Sequence, residues 1–173
     1  MEHCREGGLC KSIGVMNCPV VMFLEILTFC HKKPAINCLE SHPYFTQDEA
    51  INFYKKLGVP VAAYAPLAPS ENCKFMLHEE KLKGLDLLKE SLILELAKKY
   101  NKSAAQIVFN WHLRKHHIMF LGMQNKEQLE SDADIFDFEL SKEDIEKING
   151  LNRDARFYEC IQDVNFNFIP YWQ

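Results

Sequence analysis

The sequence predicts an α/β protein in which parallel strands alternate with helices four times. Four short apolar runs carry the strand prediction, at about residues 12–17, 35–39, 59–65 and 118–121. Each run is almost continuously apolar, which is typical of parallel strands that helices cover on both faces. Helix start and stop signals separate the runs. The pattern fits an open α/β sheet or part of a (β/α)₈ barrel; a full barrel needs about 250 residues, and the chain has 173.

The first βα repeat consists of a strand and an apolar helix. The run KSIGVMN at residues 11–17 predicts the strand, and a helical stretch follows near residues 20–31. The longest apolar segment, CPVVMFLEILTFC, contains this stretch and is interrupted by Glu25. It is shorter than the roughly 20 residues that span a bilayer. We therefore interpret it as a buried helix.

The second βα repeat carries clear signals at both ends of its helix. The run AINCL at residues 35–39 predicts the strand. In the helical segment that follows, Thr46 and Glu49 have the spacing of an N-terminal capping box. Gly58 lies just past the expected helix end, where glycine is favoured. The third strand, at residues 59–65, follows directly.

The second half of the chain is mostly helical. An irregular insert at about residues 66–86 precedes the helical segment LLKESLILELAKKY. Ser103 and Gln106 predict a capping box for the next helix, which leads to the fourth strand at residues 118–121. The segment NKEQLESDADIF predicts another short helix. A last helix is expected from Ser141 to about Asn149, with Gly150 as its stop.

Composition and charge narrow the class of protein. The apolar share of 47% and the charged share of 25% are those of a soluble globular chain. A net charge of −4 gives no indication of a nucleic acid or an anionic membrane as partner. The seven cysteines are odd in number and form no Cys-x-x-Cys pair. We expect free, mostly buried thiols in a reducing compartment, and therefore a cytoplasmic protein.

Two groups of polar residues stand out as candidates for chemistry. Glu40, Ser41 and His42 end the second strand, and ligands in barrels and open α/β sheets bind beyond such strand ends. We interpret Glu40 and His42 as turn residues rather than acid–base catalysts. His112 and His116 have a spacing that suits zinc, but no carboxylate or cysteine stands at a matching position. No metal site is predicted.

Five ordered segments resemble one family. GLCKSIGVMN, KPAINCLESHPYFTQ, LGVPVAAYAPL, YNKSAAQIVFNWHLRK and DIFDFELSKEDIEKINGLNRDARF are similar to the C-terminal half of an aldo-keto reductase of the xylose- and aldose-reductase type. The resemblance implies that residues 1–173 form a single partial domain. That domain would be the C-terminal half of a (β/α)₈ TIM barrel, with four βα units, extra helices and a C-terminal loop at residues 152–173.

The resemblance implies an oxidoreductase that reduces an aldehyde or ketone to an alcohol with NADPH or NADH. Family catalysis uses a tyrosine as proton donor, with a lysine, an aspartate and a histidine beside it, because hydride transfer to carbon must be matched by a proton on oxygen. All four residues come from the first half of the family barrel, and this chain would begin at the end of the fourth helix. No catalytic residue is therefore predicted, and the chain is expected to be truncated and inactive alone.

The resemblance also implies positions for the cofactor, NADP or NAD. They are Asn17, Cys38, Tyr64, Ala65, Leu67, Gly122, Met123 and Gln128. Tyr64 matches the aromatic residue that stacks on the nicotinamide ring, and Leu67 matches a backbone contact to the pyrophosphate. Met16, beside Asn17, and Cys38 replace a serine and a glutamine that hold the carboxamide. Ala65 stands where a serine is usual.

The largest departure from the family follows the fourth strand. Gly122 and Met123 replace a lysine and a serine that follow this strand in the family. Gln128 and Asp132 replace an arginine and an asparagine that, together with a threonine, grip the 2′-phosphate and adenine. A 2′-phosphate needs charged or bidentate donors, which these residues do not supply. We expect weak dinucleotide binding with little preference for the phosphorylated form.

Three interpretations remain open, and the first is favoured. In the first, the chain is a fragment of an ordinary reductase that acts on a small carbonyl substrate. In the second, it is an inactive half-barrel that self-associates or docks on a complementary half-barrel. In the third, it is a non-catalytic module that binds a dinucleotide or a partner. The open strand edges of a half-barrel invite pairing with another chain. The aromatic tail, which includes Phe157 and Tyr158, is similar to the family's substrate-covering loop.

Overall fold

Four parallel strands and seven α-helices make up the part of the chain that the structure describes. The computed structural model describes residues 1–68, 82, 84–122 and 125–158. The elements are α1 (Glu2–Glu6), β1 (Val15–Met16), α2 (Val20–Phe29), β2 (Asn37–Glu40), α3 (Asp48–Lys56), β3 (Val61–Tyr64), a 3₁₀ turn (Leu87–Lys89), α4 (Ser91–Tyr100), α5 (Ala104–Arg114), β4 (Ile118–Met119), α6 (Lys126–Ala133) and α7 (Lys142–Asn149). The strands form one sheet in the order β1-β2-β3-β4. The predicted α/β fold with four parallel strands is confirmed.

All four predicted strands exist, but each is shorter than its apolar run. In β1, Val15 lies opposite Asn37 of β2, in parallel register. Two strands end where the next residue adopts a left-handed backbone: Asn17 after β1 has φ 48°, and Ala65 after β3 has φ 49°. Such a conformation cannot continue a strand. Composition therefore overestimated strand length because it does not show where the backbone turns.

The described residues divide into two compact units. The first contains Met1–Leu39 and Gln47–Ala62, and the second contains Glu40–Thr46 and the described part of Ala63–Glu159. The core of the first unit consists of Cys18, Phe23, Leu39, Ile51, Tyr54, Val59 and Val61. The core of the second is larger and includes Tyr44, Leu96, Ile107, Trp111, Leu140, Ile148 and Phe157. Each unit therefore buries apolar residues of its own.

The prediction that the apolar segment around α2 is a buried helix is wrong. Only Phe23 of this helix is fully buried, with its ring edge-on to Tyr54 at 5.1 Å. Val21 is 77% exposed, Phe29 66% and Leu24 42%. A helix that is apolar on all sides needs neighbours on all sides to be buried, and α2 has core contacts on one side. None of the described helices is long and apolar enough to cross a membrane.

The capping box predicted from Thr46 and Glu49 is wrong, although Gly58 is correctly placed past the helix end. Helix α3 begins one residue later than expected, with Gln47 as its N-cap in a left-handed conformation and without a side-chain cap. Thr46 is buried, and its backbone N–H donates to Asn152 Oδ1 at 3.3 Å. Because that contact comes from a distant part of the chain, local spacing could not reveal it.

The two other predicted helix starts are confirmed. Ser103 and Gln106 form a complete capping box at α5, with N–H···O distances of 3.1 and 2.8 Å. Ser141 caps α7 by accepting a hydrogen bond from the backbone N–H of Asp144 at 3.2 Å. These caps satisfy N–H groups that the helix itself leaves without partners.

The cysteines only partly match the prediction of buried thiols. Cys18 and Cys38 are buried, whereas Cys4, Cys10 and Cys30 are partly exposed, and none of these five forms a disulfide. These three lie in α1, in the loop before β1 and at the C-cap of α2. Cys73 and Cys160 lie outside the described residues.

Candidate functional site

The polar end of β2 is completely buried. Glu40, Ser41 and His42 each have no exposed surface. The backbone of His42 exchanges hydrogen bonds with that of Phe45, at 3.2 and 2.8 Å, and so closes a tight turn. This geometry agrees with the interpretation of His42 as a turn residue.

Glu40 holds the start of the C-terminal segment. Its carboxylate oxygens accept hydrogen bonds from the backbone N–H groups of Phe157 at 2.7 Å and Tyr158 at 3.1 Å. Its Oε1 also lies 3.1 Å from His42 Nε2. Sequence reasoning missed these contacts, and the one available signal was a carboxylate placed at the end of an apolar strand.

A cavity of about 200 Å³ lies between the loops that follow β3 and β4. Four of the eight residues predicted for the cofactor line it: Ala65, Leu67, Gly122 and Gln128. Phe109 and Phe120 add apolar wall, and Asp132 and Tyr158 add polar groups. The structure therefore brings half of the predicted set together around one concave site.

The other four predicted residues are placed differently. Tyr64 immediately precedes the lining residues, and its ring meets the ring of Tyr158 edge-on, with the centroids 5.9 Å apart. Asn17 and Cys38 belong to the first unit. Burial raises the pKa of the Cys38 thiol, which lowers its thiolate fraction and its reactivity. Met123 lies outside the described residues.

The loop after β3 is tightly wound at the cavity rim. Ala65 and Ala68 both have left-handed backbones, with φ 49° and 57°, and Ala68 N–H donates to Ala65 C=O at 2.9 Å. Non-glycine residues in this region carry backbone strain, which surrounding contacts must hold in place. One such contact comes from His112, whose Nε2 lies 3.2 Å from the carbonyl oxygen of Pro66.

His112 is a buried neutral histidine whose tautomer the contacts determine. Nε2 must carry the proton, because a carbonyl oxygen only accepts. Nδ1 then accepts from Nδ1–H of His117, 3.2 Å away. Burial, and next the proximity of His117, hold the pKa of His112 well below its usual range. His116, the other histidine of the zinc-like spacing, is exposed, and Nδ1 of His112 contacts His117.

The cavity wall carries an acidic rather than a basic group. Burial raises the pKa of Asp132, and a hydrogen bond from the Gln128 side chain partly offsets that effect. Among the described residues that line the cavity there is no lysine or arginine. These described lining residues therefore offer no positive charge to compensate a dianionic phosphate group.

Similarity to known proteins was found along almost the whole chain. Residues 1–153 match the sequence profile of the Aldo/keto reductase family. Aldose reductase B of Dictyostelium discoideum is 35% identical over 170 residues, which are 98% of this chain and 50% of that protein. Glyoxal reductase of Bacillus subtilis (strain 168) is 34% identical over 157 residues, 90% of this chain and 51% of that protein.

A solved structure has the same fold over most of this chain. The aldo-keto reductase MGS-M4, from a Medee basin deep-sea metagenome library, superposes with a TM-score of 0.78 at 26% identity. The match covers 91% of this chain and 54% of that protein. The chain spans about half the length of the relatives it matches. The matched profile and these relatives show that the chain belongs to the aldo/keto reductase family of oxidoreductases.

Proposed function

We propose that this chain forms the C-terminal, dinucleotide-binding half of a (β/α)₈ aldo-keto reductase barrel. In the complete enzyme it would serve the reduction of a small aldehyde or ketone to an alcohol. The observation that carries the proposal is the cavity, in which Ala65, Leu67, Gly122 and Gln128 meet. The similarity to MGS-M4 supports the half-barrel part of the proposal, because the shared fold covers 54% of that protein.

The cavity suits one part of a dinucleotide rather than all of it. Pockets that enclose drug-sized ligands have volumes of roughly 300–1,000 Å³, and this cavity has about 200 Å³. The tight loop at residues 65–68 brings backbone groups to its rim, and Gln128 offers an amide. A nicotinamide dinucleotide supplies hydride in this family; Tyr64, beside the rim, would contribute a ring on which the nicotinamide can stack.

Carbonyl reduction needs a proton donor beside the hydride site. No tyrosine of this chain matches the position of the family's proton donor. We therefore expect the chain alone to bind NADH weakly and to reduce no simple aldehyde above background. Nicotinamide fluorescence during titration measures the binding, and loss of NADH absorbance measures the reduction. Turnover that Tyr64→Ala abolishes would contradict the proposal, and so would a complete absence of NADH binding.

A second candidate function is association with another chain. The two outer strands of the sheet, β1 and β4, carry exposed apolar residues: Met16 is 60% exposed, Ile118 45%, and Phe120, just after β4, 55%. Unpaired strand edges with apolar side chains favour pairing between chains. Light scattering on the purified chain tests this function, and a monodisperse compact monomer would count against it.

The size of the protein in its native source separates the candidates. An antibody against the chain should detect a protein near twice its mass if carbonyl reduction is the function, because the relatives are about twice as long. A band at the mass of this chain would favour the associating half-barrel. Intact-mass spectrometry of the captured protein gives the same comparison without reliance on gel mobility.

A further inference from the structure

We propose that Glu40 is a positioning residue, which fixes the ring of Tyr158 in the wall of the cavity. The inference rests on the proposed dinucleotide function for its purpose, although the anchor itself does not depend on a ligand. Glu40, Tyr158 and the lining residues all belong to the second unit. Nothing in the amino-acid spacing suggests the contact, since 117 positions separate Glu40 from Phe157.

The two carboxylate oxygens of Glu40 bind two successive backbone N–H groups. Oε1 accepts from Phe157 at 2.7 Å and Oε2 accepts from Tyr158 at 3.1 Å. The carboxylate has no exposed surface, so water cannot replace either bond. Each oxygen of the Glu40 side chain therefore has a backbone N–H donor of its own. Together the bonds fix both the position and the orientation of this backbone segment.

The residue type matters at this position. A glutamine would fill the same volume but present one oxygen and one NH₂ group, which leaves one of the two buried N–H groups facing a donor. An unsatisfied buried N–H destabilises the local structure. His42 orients the carboxylate from the side, with Nε2 at 3.1 Å from Oε1 and its ring centroid 5.3 Å from that of Phe157.

The anchored pair of residues faces in two directions. Phe157 is completely buried in the core of the second unit, whereas Tyr158 is half-buried and lines the cavity. Because Phe157 is fixed in the core and Glu40 binds the backbone N–H groups of both residues, the Tyr158 ring is held at the cavity wall. There it meets Tyr64 at 5.9 Å. The position of the Tyr158 ring is thus set by Glu40.

The two residues before Phe157 also contact the segment that follows β2. Ala155 N–H donates to Tyr44 C=O at 3.1 Å, and the Arg156 guanidinium lies 4.9 Å from the centroid of the Phe45 ring. The bond after Arg156 is a trypsin site that immediately precedes the anchored residues. Its cleavage rate therefore reports how firmly Glu40 holds the segment.

Limited trypsin digestion tests the anchor without any ligand. We expect Glu40→Gln to accelerate cleavage after Arg156 at least about tenfold, the factor that corresponds to 1.4 kcal/mol. Glu130→Gln is the matched control, since that side chain is 67% exposed. Intact-mass analysis identifies the cleaved bond, and circular dichroism establishes that each variant is folded. An unchanged rate after Arg156 in folded Glu40→Gln would overturn the proposal.

Dinucleotide binding tests the link from Glu40 to Tyr158. Tyr158→Ala keeps the anchor, so its trypsin rate should match the wild type while NADH binds about tenfold more weakly. Glu40→Gln should weaken NADH to the same degree, and the double variant should be no weaker than either single variant, because both changes remove one interaction. Additive losses would mean that Glu40 acts only through general stability, which would overturn the proposal.

The two readouts keep the two proposals distinguishable. If the wild-type chain binds no NADH, the proposed function fails, and the trypsin comparison alone decides whether Glu40 fixes the segment. If Glu40→Gln does not fold, Tyr158→Ala and Tyr158→Phe replace it. Weaker NADH binding by Tyr158→Ala but not by Tyr158→Phe supports a ring positioned at the cavity, and equal binding by both variants and the wild type overturns it.

Discussion

Helices α2 and α5 are both rich in apolar residues, yet they differ in how completely they are buried. Of the ten residues of α2 in the first unit, Phe23 alone is buried. In α5 of the second unit, the seven residues from Gln106 to His112 are all buried. Apolar composition predicts that a helix will pack, but the neighbours of the helix decide how many of its sides do. Helix α5 is therefore packed along most of its length, whereas α2 retains apolar surface on most of its sides.

The largest expected effect is the loss of a core ring from the second unit. Trp111 is fully buried, and its Nε1–H donates to Asn149 Oδ1 at 2.9 Å. We expect Trp111→Ala to lower the free energy of unfolding by about 3–5 kcal/mol. Phe29→Ala, at an exposed site of α2, should change it by less than about 0.5 kcal/mol. Urea unfolding followed by circular dichroism measures both, and equal losses would contradict the contrast between the helices.

A second prediction concerns the acidic residue that joins α7 to α4. Burial alone would raise the pKa of Asp144, but hydrogen bonds from Lys99, Tyr100 and Ser141 outweigh it and lower that pKa to about 2. The distances from Asp144 Oδ2 to Lys99 Nζ and to the Tyr100 hydroxyl are both 2.6 Å. Asp144→Asn should therefore cost about 2 kcal/mol of unfolding free energy at neutral pH, as expected for hydrogen bonds to a charged group.

The pH dependence of this contribution has a defined sign. Because the folded pKa of Asp144 lies below the ordinary value of 3.8, the stabilisation is fully present above pH 3.8 and is lost as the pH falls towards 2. Urea midpoints of wild type and Asp144→Asn should converge across that window. The exposed Asp137→Asn provides the control, and parallel curves for wild type and Asp144→Asn would contradict the assignment.

A smaller effect is expected from the buried histidine under the cavity loop. His112 faces His117, His42 and Lys115, and burial is the main cause of its lowered pKa. An unfolded histidine takes up a proton near pH 6.5, whereas folded His112 does not. The folded state should therefore lose stability as the pH falls below about 6.5. His112→Gln should flatten this slope and the exposed His116→Gln should not; identical slopes would refute the role of His112.

The smallest expected effect on stability comes from the exposed side of α2. The same variants test whether the first unit associates with another chain. Val21→Ser and Phe29→Ser should leave the urea midpoint nearly unchanged, since both side chains are mostly exposed. If the first unit associates through this surface, the same variants should lower the average mass measured by light scattering. Lys98→Ser on α4 controls for a general change in surface. Unchanged mass in the α2 variants would remove this helix from the associating surface.

The sequence predicted features that depend on nearby residues. The caps at Ser103 and Ser141 and the stop at Gly58 all involve partners within a few positions, so spacing alone identifies them. The box expected at Thr46 failed because Asn152, which is 106 positions away, takes the Thr46 N–H. The four strands themselves followed from the alternating pattern, but strand ends depended on backbone turns at Asn17 and Ala65.

Only those residues of the candidate site that match family positions could be predicted from the sequence. Ala65, Leu67, Gly122 and Gln128 were expected and do line one cavity. Spacing could not indicate the rest of the wall, because Phe109 comes from α5 and Phe120 follows β4. The hydrogen bonds of Glu40 to the C-terminal segment were hidden for the same reason. Contacts between distant segments require the fold, which local pattern does not supply.

The most direct test of the proposed cofactor cavity is a gain of affinity rather than a loss. Gln128 lines the cavity, and no lysine or arginine does so among its described lining residues. Gln128→Arg should tighten NADPH about tenfold or more, because a guanidinium can bind the 2′-phosphate with two donors. NADH, which lacks that phosphate, should change by less than about twofold. Ser131→Arg, at an exposed position of the same helix, adds the same charge outside the cavity and should affect neither ligand.

The deciding measurement is therefore the ratio of the NADH and NADPH dissociation constants for wild type, Gln128→Arg and Ser131→Arg. A shift of that ratio towards NADPH in Gln128→Arg alone is the result expected if this cavity binds the phosphate-bearing part of a nicotinamide dinucleotide. An equal shift in both variants, or none in either, would contradict that function.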